Sequence, residues 1–281
     1  MQIDIKEYDK AQFTRAIREE GYCIVENILD TEQIGKLREE TGKAITAESD
    51  YHGTTEYRDY GVVQACPMYG GTFLTLLENR TFIEPFNDVM GDGCILYVYI
   101  TSSMPPYSPN FSSRVHVDRP RLFPDYCECF AGLLLLDDFT EENGSTLYLP
   151  GSHNLAEKPD DDYFYKNAEK VIAPAGSVFY FNLRLWHAGG LNETSTWRHA
   201  LALGMVRPYL KQKFDLPGII AHYKVDTGHI TDYARQKLGY FAIPPSSLDQ
   251  FYGPASIRTY KEKSEWEAVK AEQVHIDLTD I

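Results

Sequence analysis

Basic charge is scarce in this 281-residue chain: 27 lysines and arginines face 41 aspartates and glutamates, a formal net charge of −14. Such a chain repels a phosphate backbone on average, so nucleic acid is not an expected partner. Long apolar runs are scarce as well. The longest, residues 130–136, has seven members, against the roughly 20 that a bilayer-crossing helix needs, so a membrane is not expected either. Five cysteines, an odd number without the density of a disulfide scaffold, fit a reducing cytoplasm better than export. The opening stretch MQIDIKEYDK alternates apolar and charged residues and has neither the basic nor the apolar region of a secretory signal.

What is present reads as a globular protein. Apolar residues make up 43% and charged residues 24%, which is ordinary usage for a folded domain. No linker, repeat or low-complexity tract divides the chain, so the expectation is a single domain over residues 1–281,. Residues 1–50 read as helical with one short strand at 22–25, and a second helix starts at Asp30 or Thr31 with Glu32 and Gln33 in its first turn,. A third helical stretch, 73–90, stops at Gly91 and Gly93,.

Strand signals follow at 94–100, 114–117, 127–136, 145–149, 171–172, 177–181, 185–188 and 197–206, separated by turn residues,. Runs this short, without a helical pattern between them, favour an antiparallel barrel or jelly roll over a parallel α/β sheet. Residues 157–170, with PDDD inside, read as a solvated loop, and 211–281 as a mixed helical C-terminal extension. The fold class is mainly β with flanking helices (α+β), a β-core over about 94–206 packed by N-terminal helices.

The chemistry starts at VHVDRP, where His116 and Asp118 are two residues apart. Along a strand, i and i+2 share a face, so an imidazole and a carboxylate aim at one point. Taken alone, that pair reads more readily as a surface salt bridge. A third candidate, His187, lies in LRLWHAGG, and Arg198 follows eleven residues later. A hairpin turning at Asn192 and Glu193 would set Arg198 opposite His187 on one face,. Two histidines, a carboxylate and an inward arginine make a facial site for non-haem Fe(II), with a cation for a carboxylate co-substrate.

These residues carry a family resemblance. HVD at 116–118, EENGSTLYLPGSH at 141–153, AGSVFYFNLRLWHAGGLN at 175–192 and WRHAL at 197–201 resemble the phytanoyl-CoA dioxygenase-like branch of the iron(II)/2-oxoglutarate oxygenases, over about residues 94–206. The resemblance implies a double-stranded β-helix, cupin-like, with Fe(II) held by His116, Asp118 and His187 and the distal carboxylate of 2-oxoglutarate held by Arg198. It implies an enzyme that consumes O2 and 2-oxoglutarate, releases succinate and CO2, and hydroxylates an unactivated C–H bond of a small-molecule metabolite. Related halogenases replace the carboxylate ligand with a small residue, so the intact Asp118 favours hydroxylation. Desaturation, epoxidation or rearrangement by the same cycle, and a non-catalytic jelly-roll module that binds a metabolite, are the alternative readings.

Other residues take smaller parts. Thr146 is a candidate to hydrogen-bond 2-oxoglutarate, or simply a strand residue bonded to nearby backbone. Arg119 and Arg121, flanking Pro120 just after Asp118, are candidates to bind an anionic group of the substrate, or surface arginines balancing acidic surroundings. His153 reads as ordering its loop, Cys127 and Cys129 as small core residues, and His199 as facing away from Arg198. The substrate pocket is expected between the Tyr-rich segment 51–69, the Pro-rich loop 102–111 and the two arginines,. The assembly is expected to be a monomer or homodimer.

Overall fold

The computed structural model describes residues 1–109, 113–123 and 126–252. The end of the expected Pro-rich cover and residues 253–281 of the expected C-terminal extension thus lie outside the described residues. Nine strands are described: β1 (Gln2–Asp4), β2 (Tyr22–Glu26), β3 (Ile95–Thr101), β4 (Cys129–Leu135), β5 (Leu147–Tyr148), β6 (Glu169–Lys170), β7 (Val178–Asn182), β8 (His187–Ala188) and β9 (Ala200–Val206). The α-helices are α1 (Lys10–Glu19), α2 (Thr31–His52), α3 (Gly71–Thr75), α4 (Arg80–Met90), α5 (Asp161–Asn167), α6 (Leu216–His222), α7 (Asp232–Leu238) and α8 (Leu248–Tyr252). The architecture is mixed α+β.

Helix boundaries follow from local chemistry. Asp30 and Gln33 form a reciprocal capping box at the start of α2, and Gly53, in the left-handed region at φ 67°, ends it,. The stretch expected as one helix over 73–90 is two, joined by a 3-10 turn at Leu76–Glu78. Asn79 causes the break: its backbone is extended and its side chain accepts the Phe82 amide, so it starts α4 afresh,. The segment expected as a solvated loop, 157–170, instead contains α5 and β6. Asp160 accepts two amides of the first turn, Asp161 and Asp162 suit the helix N-terminus, and Phe164 is buried,. The aspartates that suggested a loop are a helix start.

Six strands form one sheet in the order β1-β2-β7-β4-β9-β3, and three short ones form another, β6-β5-β8. Every pair is antiparallel except β1 with β2. The seven-residue apolar run becomes β4, the strand flanked by β7 and β9, buried along its whole length. A strand covered on both faces needs no polar alternation. Phe130 and Leu134 face the helices, sharing a cluster with Phe13 of α1 and Phe82 and Phe86 of α4. Cys129, Ala131, Leu133 and Leu135 face the other way, into a cluster that includes Tyr148 of the small sheet, Phe179 and Phe181. Gly132 is what lets α4 settle so closely: a Cβ there would lie 2.7 Å from the Phe86 ring,. Phe86 in turn packs edge-on against Phe82, Phe130 and Tyr180, with centroids 5.2–5.8 Å apart,.

Four expected strands are reduced, 145–149 to β5 and 185–188 to β8, and two further ones more severely. Residues 114–117 contribute one isolated bridge, His116 with His187, and the pairing expected at 171–172 falls instead at β6. The expected hairpin between His187 and Arg198 is absent. β8 pairs with β5, and β9 pairs with β3 and β4. The reason lies in the intervening loop: the fully buried Asn192 donates through its amide to the carbonyls of Pro105 and Thr196, each at 2.9 Å. That ties the loop to the segment before His116, and the bridges Met104–Arg198, Pro109–Leu191 and His116–His187 run along it. Among the described residues no helix is long and apolar enough to cross a membrane, and all five cysteines are free thiols.

Candidate metal centre

His116 and His187 face each other across a pair of reciprocal main-chain bonds, His116 N to His187 O at 2.9 Å and His187 N to His116 O at 3.0 Å. The chain then runs on to Asp118, whose amide donates to Leu183 O at 3.0 Å. This backbone pairing brings three side chains together. Asp118 Oδ1 lies 3.5 Å from His116 Nε2, and Asp118 Oδ2 lies 3.8 Å from His187 Nε2. The three ligand atoms all fall within 4.8 Å of one another, and they are the one such His/Cys/Asp/Glu cluster among the described residues.

Backbone carbonyls orient the two imidazoles. Nδ1 of His116 is 2.8 Å from Arg114 O, and Nδ1 of His187 is 2.8 Å from Leu185 O. Each is paired with a carbonyl two residues back, so Nδ1 carries the proton and Nε2 keeps its lone pair toward the cluster. Burial holds the His187 imidazole below its ordinary pKa despite the Asp118 charge. Burial pulls His116 down too, but its bond to the Asp118 carboxylate outweighs this and leaves it raised. Burial raises the Asp118 carboxyl, and the two histidines more than reverse that, with Lys213 adding to the lowering. Asp118 keeps 43% of its side-chain surface exposed, so the cluster is open on that side. Two imidazoles and an ionised carboxylate gathered on one face, open on the Asp118 side, fit a divalent iron with open positions once His116 gives up the proton that Asp118 favours,.

Behind His187 stands an aromatic wall. Phe181 meets it edge-on at 5.4 Å and stacks on Phe179 at 4.8 Å. Phe179 in turn contacts Tyr148 and Tyr22, whose hydroxyls both donate to Glu169. Trp186, pointing the other way from His187, packs in a separate outer cluster with Val115 and Phe164, as strand alternation requires.

Arg198 is 1% exposed. Its Nη1 donates to Ser102 O at 2.7 Å and Nη2 to Gly144 O at 3.1 Å, the guanidinium lies 4.3 Å from the Phe139 ring centre, and Nε has no partner. No carboxylate of the described residues lies within ion-pairing distance of it. Burial lowers its pKa to about 9, with the Asp137 charge opposing, so it stays a cation at neutral pH. A buried cation without an acid is costly unless something anionic joins it. Gly144 belongs to this arrangement: at φ +79° it takes a backbone that favours glycine, and a Cβ would lie 2.6 Å from Met104 Sδ,.

The sequence profile of the phytanoyl-CoA dioxygenase family (PhyH) matches residues 17–200. The chain belongs to that family. This family member is 31% identical to an uncharacterized protein of Mycobacterium bovis over 86% of this chain and 91% of that one. It is 26% identical to the multifunctional dioxygenase ausE of Penicillium brasilianum, over 73% of this chain and 75% of the relative. Among solved structures it resembles the non-heme monooxygenase ThoJ in its nickel complex, with TM-score 0.59 and 20% identity over 72% of this chain and 80% of that one. The fold is shared also with the non-heme alpha-ketoglutarate-dependent carbocyclase SnoK, with TM-score 0.57 and 17% identity over 73% and 86% of the two chains.

The remaining candidates of this PhyH chain fall as follows. Thr146 is half-buried just before β5, its carbonyl accepting the Val171 amide at 2.9 Å. Arg119 is tied to Glu128 by two bonds, at 2.8 and 2.9 Å, and Arg121 is exposed. Both line a cavity that contains none of the three metal-cluster residues. His153 bonds Arg18 O through Nε2 at 3.0 Å, anchoring its loop to α1. His199 turns to Ser103 and stacks on Trp197, away from Arg198. Sequence reasoning missed Lys213, whose amide donates to Tyr97 O and whose charge reaches Asp118. Almost a hundred residues separate it from Asp118 in sequence, so no local pattern pointed to it.

Proposed function

We propose that this protein is an iron(II)- and 2-oxoglutarate-dependent dioxygenase that hydroxylates an unactivated C–H bond of a small-molecule metabolite in the cytoplasm. The observation that carries the proposal is the convergence of His116, Asp118 and His187 within 4.8 Å, each imidazole presenting Nε2. In this reading the two sheets are the halves of a double-stranded β-helix, and the three side chains hold Fe(II). Bound there, the iron supplies the activation of O2, coupled to oxidative decarboxylation of 2-oxoglutarate to succinate and CO2.

The chain's own residues do the rest. Arg198, buried and without an acid, takes the distal carboxylate of 2-oxoglutarate as a fork, and Thr146 adds a hydroxyl. The carbonyls of Arg114 and Leu185 keep the two imidazoles turned. Phe181, Phe179 and Tyr148 form a dry wall on the His187 side, which limits water at the reacting carbon. Asp118, the exposed member, faces the side from which the substrate approaches.

Succinate measured after incubation with iron(II), ascorbate, O2 and 2-oxoglutarate tests the reading. Succinate formed by the native protein and none by His187→Ala is the expected result. Tight iron binding without any succinate, over a panel of candidate metabolites, would overturn the enzyme reading in favour of a binding module. Mass analysis of the product then separates addition of one oxygen from loss of two hydrogens.

A further inference from the structure

A cavity of about 480 Å³ lies between α1, α4, the segment that follows Asp118 and the turn after β7. That is within the size range of sites for small organic ligands. Five arginines line it: Arg18, Arg119, Arg121, Arg184 and Arg207. No lysine does. Two carboxylates share the lining, Asp88 and Glu128, and both are already engaged. Asp88 is bonded to Lys10 at 2.9 Å and to the Tyr8 hydroxyl at 2.7 Å, and Glu128 is held by Arg119. Arg18 is paired with Glu19 at 3.8 Å and Arg119 with Glu128 at 2.8 Å, which leaves Arg121, Arg184 and Arg207 without an ion pair among the described residues, a concentration of positive charge that runs against the average of a chain of net charge −14.

Two of the cations are fixed in place by backbone carbonyls. Arg184 is 6% exposed, donates to the carbonyls of Pro120 and Leu155, and has a buried Nε without a partner. Arg207 donates to Met90 O at 2.9 Å, lies against the Tyr126 ring and likewise has an unpartnered buried Nε. Arg121 makes no ion pair among the described residues. Planar forks held rigidly lose little freedom on binding, and they suit oxyanions better than point charges do. Of the common oxyanions, a phosphate group carries close to two charges on three acceptor oxygens at neutral pH, where a carboxylate carries one. Ile17, Val89 and Leu122 supply apolar surface for an organic body.

We infer that this cavity binds a phosphate-bearing small molecule, at a site separate from the metal cluster. The inference does not depend on the oxygenase reading.

Pyrophosphate titrated calorimetrically into metal-free protein is the test, since pyrophosphate would otherwise chelate iron. The native protein and His187→Ala are expected to bind it equally. Arg121→Gln and Arg207→Gln are each expected to weaken it about tenfold, the scale of one lost charge-assisted hydrogen bond. Lys43→Gln, on the exposed face of α2, is expected to change nothing. Because Arg121 is exposed and unpaired, its replacement leaves the fold intact, which a thermal melt verifies. No binding at millimolar pyrophosphate would overturn the inference, as would equal weakening by Lys43→Gln. Tighter binding of tricarballylate than of pyrophosphate would overturn the phosphate assignment in favour of a carboxylate.

Discussion

The two sheets differ in how they are held. The large one has strands of up to seven residues in regular register and apolar side chains on both faces. The small one has two-residue strands, and His116 joins it through a single bridge. Yet the small one carries the metal cluster. Its order comes from bonds made by side chains: the Trp186 amide donates to Ser152 Oγ, the Tyr148 hydroxyl donates to the Glu169 carboxylate, and the histidine Nδ1 atoms pair with carbonyls. Stability and function therefore rest on different kinds of interaction in one molecule, and substitutions can separate them.

The largest separation is expected from His187→Ala, which removes one of the three proposed metal ligands from the small sheet. Iron binding and succinate formation should be abolished while the far-ultraviolet spectrum of the metal-free protein stays native. A parallel loss of fold would mean that the small sheet is structural after all. In the opposite direction, Phe86→Ala empties a position among Phe82, Phe130 and Tyr180 over the large sheet and should destabilise by about 3–5 kcal/mol in urea unfolding. Its surviving folded fraction should still bind iron with native affinity.

Arg198→Lys lies between these extremes. It replaces a fork by a point charge, so the KM for 2-oxoglutarate should rise about tenfold with a smaller change in that of the primary substrate. An unchanged 2-oxoglutarate affinity would move the co-substrate carboxylate to another cation.

The smallest effect concerns pH. Burial lowers the pKa of His153, against the bond to Arg18 O. The unfolded chain therefore takes up this proton before the folded one does. Stability from this group is complete above the ordinary histidine pKa of about 6.5 and falls as pH drops toward the lowered native value. The melting temperature of metal-free protein should fall less between pH 7.5 and 5.5 in His153→Gln than in the native chain. An identical fall would show that the folded and unfolded states bind that proton equally.

Much of the site was legible in the sequence because strand alternation is strict. It put His116 and Asp118 on one face and set His199 opposite Arg198, while an apolar run without alternation marked a strand within 127–136. The capping residues of α2 were legible for a similar reason, being fixed by a local bond. The hairpin was misread because a buried amide, Asn192, bonded to residues nearly ninety positions away. Its polarity resembled that of a turn. Asp160 to Asp162 misled likewise, since the same residues serve loops and helix starts,. Of the arginine cavity the sequence signalled only Arg119 and Arg121, because the five cations come from four separate stretches of chain.

The reciprocal amide bonds between His116 and His187 also provide a reporter. Each amide proton is held by the carbonyl of the other ligand, so neither can exchange with deuterated solvent until the two chains part. Protection of both in the metal-free protein would mean that the ligands wait in place and that iron enters a finished site. Protection gained only with iron would mean that the ion closes the bridge, and the difference in exchange rate would measure how much of the binding energy that closure consumes.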